Sequence, residues 1–257
     1  MKGTVVVFGF LMFVFSLFAT DPNQLFILNS GVRPWNTWRM QKQPERIDLQ
    51  GANLDGKNLN NIDFNHAVLR QVSFRKAALH AAKFHHADLK LSDFSGANLK
   101  NAYFNDANLV QALFREADLA GASFNNAMMD DADFSGARLG GASGNSLAGR
   151  SVHLKGADLT GADFSWSRLP LGDFSEANLR NTKLRSAQLQ QAVFRGAQLG
   201  GTDLRGADLS GADLTGTDLL QADCAKAHVA GARIPKKYRD HLKKSDVLGL
   251  DRVVWTD

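Results

Sequence analysis

From Ile47 to Ile234 a large apolar residue returns at every fifth position. The series begins Leu49, Leu54, Leu59, Phe64, Leu69, Phe74, runs to Leu139, resumes at Leu154 and fades through Cys224, Val229 and Ile234. Two places before most of the large residues stands a small one, usually Ala, as at Ala52, Ala67, Ala97, Ala162 and Ala207. Asp or Asn commonly separates the two, and a polar residue and often Gly follow, as at Gly96, Gly136 and Gly206. The helical period of about 3.6 residues and the strand period of two both fail to accommodate this repeat. A short extended piece closed by a turn does. The small and large residues, two apart, point to one side of an extended segment. The next two residues form the centre of a four-residue turn. In type II geometry its second central place needs φ > 0, which Gly supplies and Asn, Asp and His tolerate. Asn61, His66, His86, Asn101, Asp106 and Asn126 share that place with the glycines. Pro170 stands at the first central place, where its fixed φ is favourable.

If each unit turns one corner, four units close a square coil and residues 20 apart stack on one wall. The columns support this. One reads Leu59, Leu79, Leu99 and on to Leu219 without exception. Its neighbour reads Phe64, Phe84, Phe104, Phe124, Gly144, Phe164, Leu184, and another reads Leu54, Phe74, Phe94, Phe114, Phe134, Leu154, Phe174, Phe194. Walls thus alternate between Leu and Phe, which favours an even number of sides. Two sides would leave no room for a phenylalanine interior.

A unit A-(D/N)-(L/F)-x-(G/N) recurring in register over about 190 of the 257 residues resembles the pentapeptide repeat proteins. The resemblance implies the family fold: all-β, a right-handed quadrilateral β-helix (a pentapeptide repeat solenoid) with short helical N- and C-terminal caps. Coils stacked at the strand spacing of roughly 4.8 Å would make about 38 units into a rod roughly 45 Å long. The expected division is residues 1–20 as leader, 21–46 as N-terminal cap, 47–234 as the repeat helix, and 235–257 as a C-terminal cap helix and tail.

Residues 1–20 carry Lys2 and an apolar run from Val5 to Phe18, the pattern of a secretory signal. The run is short for a spanning helix, which needs about 20 residues. Leu17 sits where a cleavage site prefers a small residue, so a retained membrane anchor stays open beside a cleaved signal. Either way export is expected, to periplasm or medium. In the cap, the segment Trp35-Asn36-Thr37-Trp38-Arg39 resembles the W-N-x-W-R stretch that precedes many such repeats. A coil stack ends in open backbone groups and an apolar cross-section, and Trp35, Trp38 and Met40 are expected to cover them.

The run of units has one defect, Gly140 to Val152. Gly144 and Gly149 occupy large-residue places, while Leu147 and Val152 are bulky where Ala is usual. A bulged or kinked coil is expected, with lost volume partly restored by the second pair. After Pro235, residues 236–248 read as a basic helix stopped by Gly249, and the apolar tail Leu250–Trp255 is expected to fold back on the last coil. The resemblance leaves two readings for this end, pairing of two chains or monomeric capping.

No nucleophile motif, phosphate-binding glycine loop or metal-spaced Cys/His pair is present. Hence no catalytic, cofactor-binding or metal residues are assigned, no cofactor is expected, and the chain is read as non-enzymatic. His66, His86 and Asp106 stack on one outer corner beside His85, which the turn's tolerance of φ > 0 explains before a metal does. Asp203, Asp208, Asp213, Asp218 and Asp223 form an acidic ring near the C-terminus. Leu91, Val110 and Met128 bring outward apolar side chains to one wall, and Trp166 also points outward. Formal net charge is +4, short of a nucleic-acid footprint. The sole cysteine, Cys224, falls at a core place and is read as a small buried hydrophobe. The functional expectation is an exported scaffold presenting rigid walls to a protein or envelope partner, with no nucleic acid. The alternative is the DNA-mimic, gyrase-binding type within the family, against which leader and positive charge both weigh.

Overall fold

The computed structural model describes residues 21–257; the leader expected over residues 1–20 lies outside them. From Asp48 to Arg233 backbone bridges join residues 20 apart, all parallel: Asp48 to Val68, Asn53 to Ser73, Asn58 to Ala78, Asp63 to Lys83, then each of these partners to the next coil. Leu59, Leu79 and Leu99 therefore lie on one flank, and four walls close each coil. Each wall presents two inward side chains around one bridged residue. Ala78 N–H donates to Lys57 O at 2.9 Å, and Leu79 N–H donates to Asn98 O at 2.7 Å in the coil beyond. The extended pieces are so short that the tube contains little regular sheet. The only strands of conventional length among the described residues are β1 (Arg233–Pro235) and β2 (Val254–Thr256), paired in parallel.

The corners follow from the unit. Ala52 N–H donates to Leu49 O at 3.0 Å, with Gly51 at φ 73° in the second central place. Positive φ recurs at every fifth residue from Gly51 to Gly231 except Gln221, including residues as bulky as Leu91, Trp166 and Leu171. At Gln221 the corner peptide is turned over: Gly201 N–H bonds to Gln221 O rather than to residue 220, and the bridge from Gln198 to Asp218 is missing. The wall of residues 217–219 is held instead by the C-terminal cap, whose Tyr238 hydroxyl donates to Thr217 O at 2.9 Å.

Inside, the small and large places are buried at every unit except at Lys57. Phenylalanines of one column stack in parallel, Phe84 on Phe104 at 4.9 Å and 2°, and Phe94 on Phe114 at 4.8 Å and 3°. Rings of the two columns meet edge to face, Phe94 to Phe104 at 5.8 Å and 85°. Both arrangements suit the ring quadrupole.

The expected bulge at Gly140–Val152 does not occur. Gly144 N–H still donates to Asp163 O and Gly149 N–H to Arg168 O, both at 2.8 Å. The missing volume is answered from within. A Cβ on Gly144 would fall 2.2 Å from Leu147 Cδ2 and 2.7 Å from Phe164 Cδ1, and one on Gly149 would fall 2.5 Å from Val152 Cγ2. Register is set by the ladder, so a change of inward volume is absorbed by neighbouring side chains before the backbone yields. A cavity of about 10 Å³ remains, lined only by Phe124, Met129, Phe134, Leu139, Leu147, Val152, Leu154, Phe164 and Leu169. With no polar partner for a water, it stays dry.

The N-terminal cap holds two helices, α1 (Pro22–Asn29) and α2 (Val32–Lys42). The first was not anticipated; Asp21 caps it, accepting from Asn23 N–H at 2.9 Å, and Pro22 fills its first turn. Two side-chain amides replace the missing preceding coil. Gln24 donates to Arg46 O at 3.0 Å and accepts from Asp48 N–H at 2.9 Å. Asn36 donates to Asn61 O and accepts from Asp63 N–H, both at 2.9 Å. Trp35 Nε1 donates to Asp63 O at 2.8 Å and its ring meets Phe64 edge-on at 5.6 Å. Met40 does not join this lid: it is 72% exposed, because the helical turn that points Trp35 and Arg39 into the tube turns residue 40 away.

At the other end the basic helix is shorter than expected. A 3-10 turn (Lys236–Tyr238) leads into α3 (Arg239–Lys244), and Asp246 at φ 53° breaks the run before Gly249. Leu248 instead bridges His228, and β2 lies on β1, so the tail supplies two walls of a further coil.

Candidate functional site

With the interior filled, any site must be built from the outward central residue of each wall and the two corner residues. Most outward carboxylates and amides are already committed. Asp63 Oδ1 accepts from Asn65 N–H at 3.0 Å, Asp93 Oδ1 from Ser95 N–H at 2.9 Å, and Asp213 Oδ1 from Thr215 N–H at 3.1 Å. Each closes a local turn that the aspartate itself initiates. The second carboxylate oxygen often meets a cation from the previous coil, 18 residues earlier. Arg70 reaches Asp88 at 2.6 Å, Arg115 reaches Asp133 at 2.5 Å, and Arg195 reaches Asp213 at 2.7 Å. This spacing of 18 is visible in the sequence but has no meaning until four units are known to close a coil.

The expected acidic ring is therefore not an open negative surface. Asp203 is clamped by Arg205 at 2.6 and 2.8 Å, Asp208 takes the Gln190 amide at 2.6 Å, and Asp213 is shared by Arg195 and Arg233. The Arg205 hydrogen bond holds the Asp203 carboxyl below the usual range. For Asp133, Asp163, Asp208 and Asp213 burial works in the opposite sense, but hydrogen bonds from Ser or Thr and from Arg115, Lys183, Gln190 or Arg195 outweigh it and the carboxyls fall.

The histidine corner is brought together as expected, yet not as a ligand set. His66 and His86 stack at 4.9 Å and 12°, so their ring nitrogens lie in two nearly parallel planes and do not converge on one point. Asp106 sits 4.0 Å from His86 Nε2 and also takes Asn126 Nδ2 at 3.3 Å. His85 faces Tyr103 at 5.5 Å; partial burial lowers its pKa and His86 lowers it further. Among the described residues no group of three or more His, Cys, Asp or Glu could hold a metal ion. Cys224 is buried, and desolvation with Asp223 nearby pushes its thiol up to about 12.

Outward apolar residues remain. Leu91 and Met128 are each half exposed; Val110 is only partly so, and its carbonyl accepts Leu91 N–H at 3.1 Å. Trp166 is 58% exposed in a left-handed corner, its N–H bonded to Arg185 O at 2.8 Å. The sequence did not single out Phe26, 74% exposed on α1, or Leu220, 60% exposed at the overturned corner.

The comparisons agree with this geometry. The Pentapeptide repeats family matches in eight copies over residues 45–80, 173–211 and 207–234, and the Pentapeptide repeat region family over residues 69–144. Among curated proteins none gives a significant match. Of solved structures, HetL, involved in heterocyst differentiation regulation in the cyanobacterium Nostoc, is 27% identical, covering 77% of this chain and 95% of its own at a TM-score of 0.43. A trypsin-treated form of QnrB1, a plasmid-mediated fluoroquinolone resistance protein, is 19% identical over 81% of this chain and 91% of its own, with a TM-score of 0.52. A protein of the Arabidopsis thaliana thylakoid lumen is 24% identical over 60% and 81%, at a TM-score of 0.30. The QnrB1 likeness shows the fold alone.

Proposed function

Since the chain belongs to the pentapeptide repeat proteins, we propose that it is a non-enzymatic, exported scaffold whose right-handed four-walled tube presents side chains at fixed spacing to a protein or envelope partner. The observation that carries this reading is the commitment of outward polar groups to the tube itself. Carboxylates such as Asp133 and Asp213 hold both a backbone N–H and an arginine of the previous coil. Groups so engaged are poor general acids or bases, since their pKa values lie below the usual range rather than near neutrality. They also weaken the DNA-mimic reading, which needs a surface of free negative charge.

Cell fractionation followed by cross-linking from the envelope, with the full chain as bait, tests the proposal. Expected is recovery with the envelope and a cross-linked partner lost when an outward wall residue such as Met128 is changed to Glu. Finding the mature chain only in cytosol, or turnover of substrates by the purified chain in a broad hydrolase screen, contradicts it.

A further inference from the structure

The N-terminal cap has an outer face that the tube does not use. Its two helices span residues 22–42 without one acidic side chain. Phe26 and Met40, at 74% and 72%, are the most exposed large apolar residues described, and both are turned away from the first coil. Of the three cations, Arg39 points into the tube, donating to Asn65 O at 2.9 Å and lying 3.5 Å from Asp63. Arg33 and Lys42 are exposed and have no hydrogen bond or ion pair among the described residues. They lie at opposite ends of an open trough whose other walls are Pro34, Thr37, Trp38 and Gln41. Asp21, at the edge of this face, is occupied in capping α1; Glu45 is the nearest free carboxylate in sequence, beyond α2.

Where the leader is retained, the chain's own connectivity says what this face meets. Asp21 N–H is tied to Asp48 O at 3.2 Å, and the apolar run Val5–Phe18 ends three residues before it. Three residues reach at most about 10 Å. Wherever that run enters a bilayer, the cap is held at the headgroup surface. Apolar side chains flanked by unpaired Lys and Arg suit the boundary of an anionic membrane, where the aliphatic and aromatic parts enter and the cations meet phosphates.

We propose that the outer face of the N-terminal cap rests on an anionic lipid bilayer, with Phe26 and Met40 in the headgroup zone and Arg33 and Lys42 on lipid phosphates. The tube then projects its walls from the membrane. This rests on the envelope reading above and names its surface.

The test uses the full chain on vesicles of phosphatidylcholine with or without phosphatidylglycerol. Cys224 is buried, so a spin label placed through Met40→Cys reads the cap alone, and one placed through Arg185→Cys reads a remote corner. On phosphatidylglycerol vesicles the label at position 40 becomes shielded from a water-soluble relaxant while that at 185 stays accessible. Arg33→Glu with Lys42→Glu, both lining the trough, restores accessibility at 40. Loss of the two cations alone should weaken the surface-binding constant about thirtyfold, at about 1 kcal/mol for each, and the charge reversal adds to this. Equal accessibility at both positions, or shielding indifferent to lipid charge and to the double substitution, overturns the proposal. Fractionation decides the envelope reading separately, so either can fail alone.

Discussion

The pair Gly144 and Leu147 offers a test of how the tube tolerates its one interior defect. In the phenylalanine column Phe64, Phe84, Phe104, Phe124, Gly144, Phe164, the ring expected at the fifth place is absent, and Leu147 fills the space from the neighbouring small-residue position. Leu147→Ala would enlarge a cavity already walled by Phe124, Phe164 and Leu169, with no side chain on Gly144 to collapse into it. Leucine truncations in such sites cost 2–5 kcal/mol, and this one should cost about 4 kcal/mol. Gly144→Phe alone must displace Leu147, whose Cδ2 lies 2.2 Å from the new Cβ, and overpacking of this kind costs about 3 kcal/mol. Together the two changes rebuild the unit used elsewhere in the column. With the Phe164 ring, whose Cδ1 lies 2.7 Å from the new Cβ, swinging back into its column, the new ring would take the stacked geometry of Phe84 on Phe104, worth about 1 kcal/mol beyond burial. The double variant should therefore lie within about 1 kcal/mol of the parent, a coupling of about 6 kcal/mol against the sum of the singles. Urea unfolding followed by tryptophan fluorescence and far-ultraviolet dichroism measures all four proteins. Additive losses in the double variant would refute the claim that Leu147 stands in for the missing ring.

At the N-terminal cap, Asn36→Leu leaves Asn61 O and Asp63 N–H without partners and should lose about 1–3 kcal/mol, with faster hydrogen exchange at Asp63; Asn36→Asp, which can still accept from Asp63 N–H, should lose less. The carboxyls of Asp133, Asp163, Asp203, Asp208 and Asp213 are lower in the folded chain than unfolded. Their contribution is thus complete above the unfolded value near about 3.9 and disappears as pH falls through the folded values. Urea midpoints should change little through these groups from neutrality to about pH 5 and drop below about pH 4, and Asp213→Asn should flatten the drop. Cys224, with its thiol pushed up to about 12, should resist alkylation in the native chain and react only on unfolding. Trp166→Gly should raise stability by about 1 kcal/mol, seen as a higher Tm, since a bulky residue at φ 58° is replaced by one with no Cβ penalty.

The tube was legible because one rule is repeated until chance cannot imitate it. Alternation of Leu and Phe every tenth residue fixes an even number of walls, and room for the rings fixes four. The defect was misread because Gly144 and Gly149 suggest backbone freedom, whereas their own bonds to the next coil and those of Ser143 and Ala148 to the previous one hold the chain in register and leave only volume to adjust. The helix α1 went unseen because Leu25, Phe26, Ile27 and Leu28 run together without a helical period; its cap signal, Asp21 before Pro22, was the available clue. The overturned corner at Gln221 carries no signal of its own, since Gln71, Gln111 and Gln191 all accept the left-handed conformation. There the wall is held from outside the repeat, by the Tyr238 hydroxyl on Thr217 O.

A lattice of this kind changes where function should be sought. At an ordinary site a carboxylate with a lowered pKa beside an arginine draws notice. Here that pairing recurs along the tube, at Asp55, Asp133 and Asp213, as part of the way coils are joined. It therefore says little about partners. Residues that break the rule say more, because the fold does not need them. A turn accepts Gly or Asn in place of Trp166 with less strain, and a capping helix needs its inward face but not Phe26 or Met40 on the outer one. Nothing in the interior requires these side chains to be large and apolar, so the selective reason for them lies in what the outside of the tube touches. On that argument, substitution of Phe26 and Met40 by Ser should leave the unfolding transition within about 0.5 kcal/mol of the parent while abolishing whatever the cap binds. A large loss of stability instead would show that they serve the fold after all.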